Sequence, residues 1–159
     1  MRTKLFFVLA LLSVFAACNK SEKCPYTTSS AVAPAAEIAN LKAYLDANSL
    51  PYTQHSSGIF YQVVTPGAGA TASVCSNVTV KYTGRISTST TAFDQNTTGV
   101  AFTLGQLITG WQIGIPLIKQ GVSIILYIPP SLGYGAAVSG VAIPPNSNLV
   151  FNIDLVNVQ

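Results

Sequence analysis

The stretch LVFNIDLV, residues 149–156, places Leu149, Phe151, Ile153 and Leu155 on one side of an extended chain and Val150, Asn152, Asp154 and Val156 on the other. Strand side chains alternate with a period of two, so this run reads as a strand with one buried and one partly wetted face. Val78–Arg85 follows the same rule, with Val78, Val80 and Tyr82 opposite Thr79, Lys81 and Thr83. GIFYQVV (Gly58–Val64) is rich in β-formers and ends at the turn signal Thr65-Pro66-Gly67. VSIILYIPP (Val122–Pro130) is more continuously apolar and is stopped by two prolines, which have no N–H to give to a ladder. Between these runs Leu107–Lys119 is helical in pattern but kept short by Gly110, Gly114 and Pro116. Upstream, Ala35, Ile38, Leu41 and Leu45 recur at helical spacing within residues 34–49, with Pro34 suited to a first turn and Asn48 to a last. That helix is expected to cover one face of the domain or to sit beside it. The sum is an α+β domain over residues 57–159, a largely antiparallel sheet wrapped around one short helix.

The 159 residues suit one such domain with an N-terminal extension. Only 8% of them are charged against 49% apolar, so the surface is polar rather than ionic. The formal charge of +3 includes Arg2 and Lys4, and without them it is +1, a balance that argues against a nucleic-acid partner. Residues 1–17 combine a basic start (MRTK), an apolar run from Leu5 to Phe15 and the small pair Ala16-Ala17, the form of a secretory signal peptide. The run is short for a membrane span and is followed at once by Asn19, Lys20, Ser21 and Glu22. VFAAC resembles the lipobox of bacterial lipoproteins. That resemblance implies lipidation of Cys18 and attachment to a membrane of the cell envelope, and with no acidic run after Cys18 the default expectation is an anchor facing the periplasm. Residues 18–33 are polar or small without an apolar period, and read as a flexible tether.

With Cys18 set aside, Cys24 and Cys75 are either a disulfide pair of an exported protein or two unrelated thiols. A zinc site is not expected, because the chain has one histidine, His55, and no CxxC or HxxxH spacing. Neither a phosphate-cradling P-loop nor a GxSxG nucleophile turn is present, and His55 has no evident acid–base partner. No metal or other cofactor is expected.

What remains distinctive is an ordered series of aromatic and aliphatic motifs tied to glycines and prolines. It runs VKYTG (80–84), AFD (92–94), FTLG (102–105), GWQIG (110–114), LGYG (132–135), IPPNS (143–147) and LVFNIDL (149–155). Each motif alone says little, but the ordered set resembles the FKBP family of peptidyl-prolyl cis-trans isomerases over residues 58–159. The resemblance implies a half-barrel, an antiparallel sheet curled around the short helix with a cleft between them. It implies that Tyr82, Phe93, Asp94, Trp111 and Tyr134 carry catalysis, and that Val100, Leu107, Ile108, Ile143 and Phe151 join them in holding substrate. Val100 stands where many active members have phenylalanine, which implies a wider, shallower cleft. Trp111 would floor the site, Tyr134 would donate to a substrate carbonyl, and Asp94 would pair with Tyr82 or Arg85.

Such residue types suit the chemistry. Resonance sets a barrier of about 18–20 kcal/mol to rotation about a peptide C–N bond. A dry apolar pocket favours the twisted amide, which has lost resonance and some polarity, over the planar one, so no nucleophile is required. Three readings follow: an isomerase acting on proline-containing segments of exported proteins, a non-catalytic FKBP-like binding module or chaperone, or a structural lipoprotein that has lost the cleft. A lone tryptophan, a phenylalanine on an alternating strand, a tyrosine with a satisfied hydroxyl and an aspartate capping a turn all occur for purely structural reasons.

Overall fold

The computed structural model describes residues 23–137 and 143–159; the leader read over residues 1–17 and Cys18 lie outside them. Six antiparallel strands form one sheet in the order β1-β2-β5-β6-β3-β4. They are β1 (Thr53–Gln54), β2 (Phe60–Val63), β3 (Asn77–Ile86), β4 (Ala92–Thr103), β5 (Ser123–Ile128) and β6 (Leu149–Val158). Both helices lie where the sequence places them, α1 over Ala35–Ala47 and α2 over Thr109–Gly114. Among the described residues no helix is long and apolar enough to cross a membrane.

The alternation of β6 places Leu149, Phe151, Ile153 and Leu155 in the main core, with Val78 and Val80 of β3 and Ile124, Leu126 and Ile128 of β5. Helix α2 lies against this concave face. Its contact depends on two glycines one turn apart: a β-carbon at Gly110 would come within 2.6 Å of Ile128, and one at Gly114 within 2.6 Å of Leu126. The glycines that weaken α2 as a helix therefore let its backbone lie directly on β5. The helical segment is shorter than the run Leu107–Lys119, because Pro116 sits in a 3-10 turn over Ile115–Leu117 that replaces further α-helix.

The opposite face of the sheet is covered in part by α1. Leu41 and Leu45, both fully buried, pack with Phe60, Tyr127 and Val150. Val150 is thus 1% exposed although it belongs to the strand face expected to be partly wetted, while Asn152, Asp154 and Val156 farther along that face remain exposed. Strand β4 and the two-residue β1 are additions to the strands read from the sequence. β4 is an edge strand whose centre, Gln95–Gly99, is polar, so it lacks an apolar period.

The described part of the tether, residues 23–33, is pinned to the domain at three points. Cys24 is bonded to Cys75 across a separation of 51 residues, with the α-carbons 5.7 Å apart. The ring of Tyr26 lies so close over Gly105 that a β-carbon there would strike it. Ala33 is buried and its N–H donates to the Ser57 carbonyl at 2.9 Å. These contacts replace a free spacer from Cys24 onward. His55 serves the adjoining turn, its Nδ1 lying 2.9 Å from Ser57 Oγ and 3.1 Å from the Ser57 N–H.

Candidate active site

Between α2 and the concave face of the sheet is a cavity of about 210 Å³. Trp111, at the first turn of α2 and 4% exposed, forms its floor. Three rings stand edge-on or nearly so around the indole: Phe151 of β6 at 5.2 Å between centroids, Tyr82 of β3 at 5.3 Å and Phe102 of β4 at 6.4 Å. These spacings are those at which the positive edge of one ring meets the negative face of another. The indole N–H is buried and has no nitrogen or oxygen acceptor among the described residues.

Leu107, Ile108, Tyr134 and Asp94 complete the lining. Leu107 and Ile108 lie in the turn leading into α2. Gln112, one turn along the helix, holds that turn by donating from Nε2 to the Leu107 carbonyl at 2.7 Å and the Gly105 carbonyl at 3.2 Å.

The polar rim consists of Tyr82, Asp94 and Tyr134. Tyr82 donates its hydroxyl to Asp94 Oδ2 at 2.7 Å. Burial, and then this hydrogen bond to a carboxylate that favours the protonated phenol, push the Tyr82 pKa up to about 12. Burial, with the charge of Asp94 second, also raises Tyr134. Both phenols therefore keep their protons throughout the neutral range. The Tyr134 hydroxyl has no hydrogen-bond partner among the described residues, and Tyr134 lines the mostly apolar cavity.

Of the residues singled out in the sequence, Tyr82, Asp94, Leu107, Ile108, Trp111, Tyr134 and Phe151 line one cavity. Phe93 stands behind it, edge-on to Phe151 at 5.7 Å and to Tyr134 at 6.4 Å, and so braces two of its walls. Ile143 is 5% exposed and belongs to the core rather than to the cavity wall. Arg85 does not pair with Asp94; its Nη1 donates to the carbonyls of Ser87 at 3.4 Å and Ser89 at 3.3 Å.

The sequence profile of the family described as FKBP-type peptidyl-prolyl cis-trans isomerase matches residues 69–156. This chain belongs to that family. A probable FKBP-type isomerase of Haemophilus influenzae is 38% identical over 106 residues, which cover 65% of this chain and 44% of that protein. FkpA of Escherichia coli is 41% identical over 107 residues, covering 65% and 39%. The chain thus spans less than half the length of these two curated relatives. Among solved structures, E. coli FkpA superposes with a TM-score of 0.69 at 37% identity, covering 79% of this chain and 60% of that one. A peptidyl-prolyl cis-trans isomerase from Pseudomonas syringae gives 0.69 at 30% identity, covering 80% and 97%.

Against the FKBP resemblance, the position that changes most is Val100. It does not line the cavity but faces Val80 across the β3–β4 ladder. Two residues along the same face of β4, Phe102 supplies an aromatic wall, 6.3 Å from Tyr82. Sequence reasoning passed over Phe102 although it opens the FTLG motif, and passed over Gln112 inside GWQIG. The signal for both was their place within motifs already singled out.

Proposed function

We propose that this protein catalyses cis-trans isomerisation of prolyl peptide bonds in proline-containing segments of exported proteins. The observation that carries this reading is an apolar, aromatic-floored cavity lined by a phenol, Tyr134, that has no hydrogen-bond partner among the described residues. The proline ring would rest on Trp111, between Phe151 and Phe102, where little water follows it. Rotation reduces conjugation and moves the substrate carbonyl; Tyr134 can then donate to that oxygen without transferring a proton. Asp94, held by Tyr82, faces the mouth as an acceptor for substrate amides. Such selective stabilisation of the twisted state raises turnover rather than ground-state binding.

Isomerisation of short proline peptides by the folded chain tests the reading. Tyr134→Phe should lower kcat/KM by roughly three- to tenfold, about the contribution of one hydrogen bond to the twisted amide. Wild-type activity should be flat from about pH 6 to 9, because both rim phenols remain protonated and no proton is transferred. Peptide binding with no acceleration over the uncatalysed rate would overturn catalysis and leave a binding module.

We also propose that Cys18 carries a lipid and holds the domain at a membrane of the cell envelope, on the strength of the apolar run and the small pair preceding it. Cys18→Ser should shift the protein from the membrane to the soluble fraction or leave its leader uncleaved. Normal cleavage with continued membrane fractionation would refute the anchor.

A further inference from the structure

Helix α1 precedes residues 69–156, the span matched by the family profile, yet it touches both the turn that leads to Tyr134 and the residues just before β6. After β5 the chain turns through a 3-10 segment, Pro130–Leu132, and reaches Tyr134 two residues later. Short 3-10 turns leave their first N–H groups without internal acceptors. Leu132 and Gly133 donate back to Pro129 and Pro130, whereas the Ser131 N–H does not. Its acceptor is Glu37 Oε2, 2.9 Å away and 94 residues earlier in the chain. Three residues along α1, Asn40 Oδ1 accepts from Nδ2 of Asn148, the residue just before β6, at 2.9 Å. Within this same connection to β6, the Asn146 N–H donates to the Gly135 carbonyl at 2.7 Å. Since Leu41 and Leu45 fasten α1 to the outer face of the sheet, Glu37 and Asn40 project from a fixed base.

We propose that Glu37 is a positioning residue for the cleft. Its carboxylate caps the turn at Ser131 by a charge-assisted hydrogen bond and so sets where the Tyr134 hydroxyl stands, while Asn40 holds the end of the same connection through Asn148. The segment just after the tether thereby tunes the active site from the far face of the sheet. Glu37 touches no substrate and acts only through the turn. This assignment rests on the isomerase reading for its effect on turnover, but its structural half stands apart from it.

The test uses the full chain with Glu37→Ala, Glu37→Gln and, as a control on the same helix, Lys42→Ala, which removes the exposed Lys42–Asp46 ion pair without touching the contacts to Ser131 and Asn148. Glutamine keeps an acceptor oxygen for Ser131; alanine does not. Amide exchange at Ser131 should rise by roughly tenfold in Glu37→Ala, with shifted Tyr134 ring signals, and both should stay near wild type in Glu37→Gln and Lys42→Ala. Turnover should fall roughly three- to tenfold in Glu37→Ala, mainly in kcat, because misplacing a donor weakens binding of the twisted state more than of the substrate. Glu37→Gln should recover at least half of it. Unmoved Ser131 exchange and Tyr134 signals in Glu37→Ala would overturn the proposal, as would a loss of turnover that Glu37→Gln fails to restore. If the wild type itself shows no turnover, the isomerase reading fails, and the exchange and ring signals still decide whether Glu37 positions the loop.

Discussion

Replacing Trp111 by alanine should lower kcat/KM by roughly a hundredfold or more, equivalent to about 2.7 kcal/mol of lost transition-state stabilisation. The indole carries the floor and is the common partner of Tyr82, Phe102 and Phe151, so its removal deletes three ring pairs and opens the cavity downward. Water entering that space would solvate the planar, polar amide and weaken the preference for the twisted one. The same change should cost about 3–5 kcal/mol of stability, the usual range for deleting a buried aromatic side chain. Because a loss of fold would mimic a loss of chemistry, Trp111→Leu serves beside it, filling most of the volume with an aliphatic group. Denaturant melts establish that both variants are folded under assay conditions, and peptide isomerisation then reads the site. A folded Trp111→Ala protein with wild-type turnover would remove Trp111 from the mechanism.

The parts of the fold legible in the sequence are those where burial and periodicity coincide. β6, β3 and β5 each face α2 with apolar side chains, and their patterns say so. Val150 could not be placed, because its burial depends on α1 docking from outside the strand's own neighbourhood. β4 was hidden for the opposite reason: as an edge strand it has one partner, and Gln95, Asn96, Thr97 and Thr98 carry little apolar signal. Motif order brought seven of the expected residues to one cavity. It could not say which of two residues on one face of a strand reaches that cavity, and so singled out Val100 where Phe102 stands. Nor could spacing choose between Tyr82 and Arg85 as the partner of Asp94. Asp94 lies near Tyr82 across the β3–β4 ladder, whereas the guanidinium of Arg85 turns to the carbonyls of the Ser87–Ser89 turn. The hold of Glu37 on Ser131 spans 94 residues and has no local signature at all.

Loss of the Cys24–Cys75 bond should be the largest stability change available without touching the core. The bond closes a loop of 51 residues that contains α1, β1 and β2. In the chain-entropy account, opening a loop of that length costs about 4 kcal/mol, because the unfolded chain regains freedom that the crosslink had removed. Against a total stability typically of about 5–15 kcal/mol, that is a large share. The double substitution Cys24→Ser, Cys75→Ser should therefore lower the denaturation midpoint strongly, and reductant should lower the wild type toward the same value while leaving the variant unchanged. The effect on the site is expected to be smaller but directional. Cys24 is two residues from Tyr26, whose ring covers Gly105 at the start of the turn carrying Leu107 and Ile108. Freed of the bond, that ring should leave Gly105 more often, and amide exchange in residues 104–108 should rise before exchange in β5 or β6 does. Gln112 still holds the Leu107 and Gly105 carbonyls, so turnover should fall by no more than roughly threefold. Thiol labelling of the unreduced protein gives the direct check. Free thiols at both Cys24 and Cys75 in an oxidised preparation would refute the crosslink, and an unchanged midpoint in the double variant would refute its contribution to stability.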